Sequence, residues 1–424
     1  MTSTLAPVAN IRSFASKVRT LNPEDDGFDD LEVLGKLVSE AKIVGVGEGA
    51  HFVTEFGMAR ARISRFLIER CGFTHIALEL GRCEALKLSS WVNGEGSESD
   101  LSAYAGPLTI GLYGRFLRWL RYFNVSNSRA VQIVGPDLPN TLTIWDDLVF
   151  LRTYLSGVDP DVLATLSEAE GMGERIQGQS AVQAAGAWLS MSRSDRDALS
   201  SRLTRLFLRM QSLKSLYLES ASLTEYEDAL VHLESASCTV QMLESMSDLF
   251  EGKAVPGDTS VRDFHAATTL LKLCSRLPPE SRIVLVAHNN HIQKTPVSFS
   301  GELTAYPAGH FLSKALGVGY KSLAVTHTDK SVPEMNFPAP DSVVGFVAEM
   351  LSLENAPVGS VERALMESQL DSDLTITNLR MEGAAVLGFD RMRSQSAYIV
   401  TSLHDAFDAI FSVPKVSLEP DLPF

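Results

Sequence analysis

Four short apolar runs that stop abruptly in polar residues restrict the architectures open to this chain more than any other feature. They are "AKIVGVGE" (41–48), "THIALEL" (74–80), "AVQIVGPDLP" (130–139) and "SRIVLVAHNNH" (281–291). An apolar run without alternation is what a strand covered on both faces requires. The stretches after the first two runs have helical spacing. From Glu55 to Arg70, Phe56, Ala59, Ile63, Phe66 and Leu67 form one stripe with arginines on the other side, and Cys71-Gly72 supplies a glycine C-cap. "CEALKLSSWVNG" (83–94) is a second helix ending in glycine. This βαβα rhythm predicts an α/β fold: a parallel or mixed sheet sandwiched between helices in three layers.

The middle of the chain breaks the rhythm. Residues 144–275 read as helix after helix, among them "RDALSSRLTRLFLRMQSLKSLYL" (196–218) and "YEDALVHLESASCTVQMLESM" (226–246), with few β-branched residues. "EGKAVPGDTS" (251–260) is a loop leading into one more helix. The expected organisation is therefore an α/β core from 1–143 and 276–424, with 144–275 inserted as a mostly helical lid over the sheet's active edge. In the second core segment "YKSLAVTHT" (320–328) and "LTITNL" read as strands, Gly309 to Leu316 as a helix, and "LHDAFDAIFSV" as a C-terminal helix.

Charge and composition remove several function classes. Against 37 basic residues stand 52 acidic ones, a net charge of −15 spread along the chain without a basic stripe. That argues against a nucleic-acid partner. No apolar run is long enough to span a bilayer, and "MTSTLAPVANIRSF" lacks the layout of a secretory signal, so a cytoplasmic protein without a membrane partner is expected. Four cysteines without a CxxC pair read as reduced, half-buried apolar residues, and thiol catalysis is not expected.

In open α/β sheets, ligands collect at the carboxyl ends of the parallel strands. The four runs end in Glu48 and His51; in Glu79 with Gly81 and Arg82; in Asp137; and in His288-Asn289-Asn290-His291. Four strands delivering acids or histidines to one rim predict a polar pocket. Each residue also has a bland reading. Glu48 could cap a helix, His51 could be a hydrogen-bonded turn residue, and Asp137 lies between prolines as turn residues do. Arg60, Arg62, Arg65 and Arg70 fit a solvated helix face for the most part. Glu79 is harder to dismiss, because a carboxylate flanked by apolar residues is rarely buried without a partner.

The chain has no G-x-S-x-G, H-E-x-x-H, P-loop or G-x-G-x-x-G motif. Two kinds of site remain open. One is a metal centre built from His51, His288, His291 and carboxylates, whose spacing is not diagnostic. The other is metal-free water activation by a histidine held by a carboxylate. Gly47 and Gly49 are expected to let the backbone turn sharply, so that Glu48 and His51 face one cleft.

At these residues the sequence resembles the erythromycin esterase family. "GEGAHFVTEF" is similar to the family's Gly-Glu-x-x-His block with its downstream glutamate, Glu55 here, and "RISRFLIERCGFTHIALELGRCEA" is similar to the segment that follows. "VLVAHNNHIQKTP" resembles its Ala-His-Asn-x-His block, with weaker likeness at "YPAGHFL" (306–312) and "GSVERAL" (359–365). The resemblance covers most of the chain. It departs from the family in the Gly-Ala between Glu48 and His51, and in Asn-Asn where Asn-Ala is commoner.

The resemblance implies a three-layer α/β sheet with an added helical subdomain, and hydrolysis of the lactone ester of 14-membered macrolides without a covalent acyl-enzyme, metal or other cofactor. It gives His51 the role of general base, with Glu48 and Glu79 as supporting carboxylates, His288 as a second functional histidine and Arg60 as a kept arginine. Arg60, or His288 as imidazolium, is expected to balance the oxyanion. Glu55, Asp137 and His291 are expected to bind a small, mostly apolar substrate. Three rivals remain: ring closure or elimination in natural-product biosynthesis with the same residues, a metal-dependent hydrolase, and a protein that binds an apolar ligand without turnover.

Overall fold

All four residues of the segment Ile43–Val46 are buried, because strands flank it on both sides and helices cover both faces. The computed structural model describes residues 11–299, 302–339 and 341–422. Its main sheet has eight strands: β1 (Ala15–Lys17), β2 (Ile43–Val46), β3 (His75–Leu78), β4 (Gln132–Val134), β5 (Ile283–Val286), β6 (Tyr320–His327), β7 (Thr375–Asn378) and β8 (Ala409–Val413). Their spatial order is β1-β7-β8-β6-β2-β5-β3-β4. The six strands from β8 to β4 are parallel, and β7 runs against its neighbours β1 and β8. The mixed sheet with helices on both faces is the architecture expected from the apolar runs.

Register decides where the chemistry falls. Val46 of β2 pairs with Val286 of β5 and with Leu323 of β6, and Leu78 of β3 also pairs with Val286. The parallel strands therefore end level, and Glu48, Glu79, Asp137 and His288 leave the sheet along one edge.

The two faces separate by alternation, as strand geometry demands. Val44 and Val46 join a core with Phe56, Ile63 and Phe66 of helix α1 (Thr54–Cys71), whereas Ile43 joins a core with Ala267 and Leu270 of Ser260–Arg276 and Leu312 of Ala308–Leu316. α1 ends as expected, with Gly72 at φ 79° and its N–H on the Leu67 carbonyl.

A third apolar core belongs to the helices between β4 and β5. It runs from Leu138 and Ile144 through Trp188, Leu206 and Tyr226 to Leu243. The long members are Trp145–Val158, Arg193–Ser212 and Leu223–Phe250, with the shorter Ala181–Ser190 beside them. Among the described residues no helix is long and apolar enough to cross a membrane.

Three local expectations are corrected. "LHDAFDAIFSV" is not one helix: Leu403–Ala406 forms a single turn, and Ala409–Val413 is the fully buried strand β8, parallel to β6. Buried Asp408 separates the two, held by Lys294 at 2.5 Å and by Arg380 at 2.7 Å. The arginine face of α1 is not solvated either. Arg60, Arg62 and Arg65 are buried, Arg62 on Asp30 and Arg65 on Asp26, each at 2.7 Å, and only Arg70 is exposed. Finally, Gly47 and Gly49 are not positive-φ turn residues; Phe52 holds that conformation, at φ 65°. They are glycines because of close approach. A Cβ at 47 would collide with the Asn289 side chain, and one at 49 would lie 2.8 Å from the Val325 carbonyl.

Candidate active site

The turn after β2 places Glu48 and His51 side by side. Glu48 is almost fully buried; its Oε1 meets His51 Nδ1 at 2.9 Å and its Oε2 meets the Arg60 guanidinium at 2.7 Å. Burial alone would raise the Glu48 pKa, but Arg60 and the hydrogen bond from His51 outweigh it and hold the carboxyl below its ordinary range. An ionised carboxylate only accepts, so Nδ1 carries the imidazole proton and the Nε2 lone pair is left free. The His51 side chain keeps 32% of its surface exposed. A buried anion thus orients a solvent-accessible imidazole.

His288 packs behind this pair, its ring centroid 4.8 Å from that of His51. It is buried, and desolvation followed by the two neighbouring histidines drives its pKa well below the ordinary value, so it is neutral. Its Nδ1 accepts the Asn290 N–H at 3.1 Å, which puts the proton on the buried Nε2. Asn289 is a structural device. Its side chain exchanges hydrogen bonds with the Val325 backbone at 2.8 and 3.1 Å and so anchors the turn to β6.

The carboxylates of β3 and β4 meet a second cation. Asp137 is gripped by both Nε and an NH2 group of Arg262, the shortest contact being 2.5 Å, and Arg262 also reaches Glu79 at 3.5 Å. Glu79 Oε2 accepts the His288 N–H at 3.1 Å, and His291 Nε2 lies 3.6 Å from Glu79 Oε1. His291 Nδ1 pairs with Asp263 at 2.8 Å. Burial works against the His291 cation, but Asp263 beside it prevails and raises its pKa. For Asp137 burial is likewise overcome, here by Arg262, and the pKa falls.

Of these groups, Glu48, His51, Glu79 and Arg262 border a cleft of about 570 Å³ between the sheet edge and the helices. Glu48, His51, Glu79, Tyr113, Asn140 and Arg262 form its polar floor. Its walls are apolar: Ala185 and Leu189 of Ala181–Ser190, Phe250 at the end of Leu223–Phe250, and Phe52, Met335 and Phe346. Ser180 also borders it, but its hydroxyl donates to the Val344 carbonyl at 2.5 Å and it caps a helix, so it is not poised as a nucleophile.

A family model described as erythromycin esterase matches residues 68–416. The chain belongs to the erythromycin esterase family. Erythromycin esterase type I of Escherichia coli is 38% identical over 400 residues, which cover 93% of this chain and 95% of that protein. Type II, also from Escherichia coli, is 28% identical over 405 residues, covering 94% and 95%. Among solved structures, a histidine-to-asparagine mutant of the erythromycin esterase EreC in its open conformation matches with a TM-score of 0.90 and 37% identity, over 96% of this chain and 98% of EreC. A Bacillus cereus protein at 18% identity and a TM-score of 0.75 shares the fold, over 96% of this chain and 97% of its own.

In this member of the erythromycin esterase family, seven of the eight residues singled out from sequence lie along one rim, but at different depths. Glu48, His51 and Glu79 border the cleft; Arg60, His288, His291 and Asp137 lie behind them and act on it through partners. Glu55 is apart. Its carboxylate accepts the Ser417 N–H at 2.7 Å and the Ser417 hydroxyl at 2.8 Å, pinning the C-terminal segment. Arg262, Asp263 and Tyr113 are among the site residues the sequence did not single out. "SVRDFHAA" carried a weak signal, an Arg-Asp pair in the first turn of an amphipathic helix; Tyr113 carried none.

Gln395 also reaches the site, accepting the His51 N–H at 2.5 Å. The three histidines already have one ring nitrogen each engaged, by Glu48, Asn290 N–H and Asp263.

Proposed function

We propose that this protein opens the lactone ester of a macrolide by direct water attack, with His51 Nε2 as the general base. The observation that carries the reading is the Glu48–His51 hydrogen bond of 2.9 Å at the floor of a cleft whose walls are apolar. Proton removal from water by a placed imidazole contributes ~10²–10⁴-fold. Glu48 fixes the tautomer and balances the imidazolium as it forms. Arg60 holds the other carboxylate oxygen and is a positioning residue. Arg262 faces the cleft with 28% of its side chain exposed, so its guanidinium is the cation placed to meet a developing oxyanion. Neutral His288 buttresses the His51 ring from behind, and His291 with Asp263 holds Glu79.

A cleft of this size fits a drug-sized, mostly apolar ligand. We read 144–275 as a lid, since its own core lets it move as a unit and its helices wall the cleft. The four free cysteines suit a reducing compartment, and we place the protein in the cytoplasm. The names of the relatives favour ester hydrolysis over ring closure or elimination. The test is mass spectrometry of erythromycin incubated with chelator-treated protein and with its His51→Ala variant. Gain of one water by the native protein alone is expected; an unchanged substrate mass, or hydrolysis by the variant, would overturn the reading.

A further inference from the structure

Away from the cleft, where the helices sit on the α/β core, three helices bring together a thiol, an imidazole and a carboxylate. Cys83 lies in the first turn of Arg82–Val92, Asp147 in the first turn of Trp145–Val158, and His232 in the middle of Leu223–Phe250. His232 Nδ1 is 2.6 Å from Asp147 Oδ1, and Cys83 Sγ is 3.7 Å from that nitrogen and 3.9 Å from that oxygen. Both buried partners are held in place. The Asp147 Oδ2 atom accepts the Ser235 hydroxyl at 2.7 Å, and the fully buried His232 ring stacks on Phe150 with centroids 3.9 Å apart. Such outer contacts aim ligand atoms in metal sites.

A nucleophilic Cys-His-Asp relay needs one ring nitrogen for the thiol and the other for the carboxylate. Here one nitrogen meets both, and Nε2 has no hydrogen-bond partner among the described residues. Burial, then Asp147, pushes the Cys83 thiol up to about 12, opposite to what a reactive cysteine requires. What the geometry does offer is three different donor atoms converging on one point.

We propose that Cys83, Asp147 and His232 bind a zinc ion, with water as the fourth ligand, and that the ion fastens the helical unit to the α/β core. Tetrahedral zinc with ordinary bond lengths sets its ligand atoms roughly 3.3–3.6 Å apart. The two sulfur distances need to close by only a few tenths of an ångström, and the Nδ1–Oδ1 pair to open from hydrogen-bond contact. Binding releases the Cys83 proton to solvent and moves the imidazole proton from Nδ1 to Nε2, so affinity rises with pH. The fourth ligand comes from an adjoining cavity of about 260 Å³ lined by Cys83, Glu84, Asp146 and Asp147. The ion takes no part in activating water at His51.

Cobalt is the probe, since a Co²⁺–thiolate bond has its own near-ultraviolet charge-transfer band. Titration of the chelator-treated, full-length protein with Co²⁺ is expected to give one equivalent bound with that band and with the visible bands of a tetrahedral ion. The charge-transfer band should vanish in Cys83→Ser and weaken in Asp147→Asn, which keeps the thiol. It should persist in His288→Ala and be displaced by Zn²⁺, with a rise in Tm. Absence of the band in the native protein, its survival in Cys83→Ser, or its loss in His288→Ala would each overturn the site.

Discussion

His51 Nδ1 lies 2.9 Å from Glu48 Oε1, and that single bond determines which imidazole nitrogen is left free. The carboxylate is ionised because Arg60 holds its second oxygen in a buried place. The tautomer and direction of the His51 ring follow from Glu48, and the charge of Glu48 follows from Arg60.

Glu48→Gln is therefore expected to lower kcat by about 10²-fold or more while KM changes little, because it removes the tautomer lock and leaves the cleft walls intact. It also leaves the Arg60 guanidinium buried without its anion, so circular dichroism should accompany the kinetics to show that the variant is folded. Turnover at the native rate by a folded variant would remove Glu48 from the mechanism.

Glu55 gives the opposite expectation. Its two hydrogen bonds go to Ser417, with none to the cleft. Glu55→Gln should cost about 0.5–1.5 kcal/mol in urea unfolding, the net worth of an ordinary hydrogen bond, since both bonds are exposed, and leave kcat and KM unchanged. A loss of activity with unaltered stability would return Glu55 to the site.

What the sequence could convey, and what it could not, divides along a physical line. β2 and its Glu48–His51 turn were legible because an uninterrupted apolar run followed by glycine, acid and histidine has few other uses. The rim was legible because parallel strands end level. β8 was not: "LHDAFDAIFSV" has Leu403, Phe407 and Ile410 at helical spacing, and only pairing with β6, far away in sequence, makes Ala409–Val413 a strand. The burial of Arg62 and Arg65 depends on Asp30, in the 3-10 turn Asp29–Leu31, and Asp26 before it, acids whose approach to α1 leaves no trace in either segment. Tyr113 lies on a helix whose local pattern announces packing alone, and the Arg262-Asp263 pair in the first turn of its helix is a weak signal.

Arg262 tests the cation at the cleft floor. Arg262→Lys keeps a positive charge but loses the fork on Asp137, whereas Arg262→Ala leaves that buried carboxylate without its cation and held by the Leu138 N–H. The alanine variant should lose about 3–5 kcal/mol of stability, as when a buried pair is broken from one side. If the guanidinium meets the oxyanion, Lys should retain more kcat than Ala, with both below the native enzyme. Equal kcat in all three, measured on folded protein, would confine Arg262 to a structural role.

His288 leaves a signature in stability against pH. Burial and two histidine neighbours depress its folded pKa well below 6.5, while in the unfolded chain it titrates normally. As pH falls through about 6.5 the unfolded state takes up a proton that the native state refuses, so stability falls, with a slope approaching 1.4 kcal/mol per pH unit from this residue. His327, held at about 3, adds a slope of the same sign. His291, with a raised pKa, works in the opposite sense, its stabilisation being full below about 6.5 and lost as pH rises through its folded value. Urea unfolding between about pH 7 and about pH 5.5 should thus show stability dropping toward acid in the native protein, and a shallower drop in His288→Gln, which cannot titrate. Glu48 contributes nothing to this window, since its depressed pKa moves its loss of stabilisation below the ordinary carboxylate range. Identical slopes in the two proteins would mean that His288 is not held neutral, and with that the picture of an uncharged ring supporting His51 would fall.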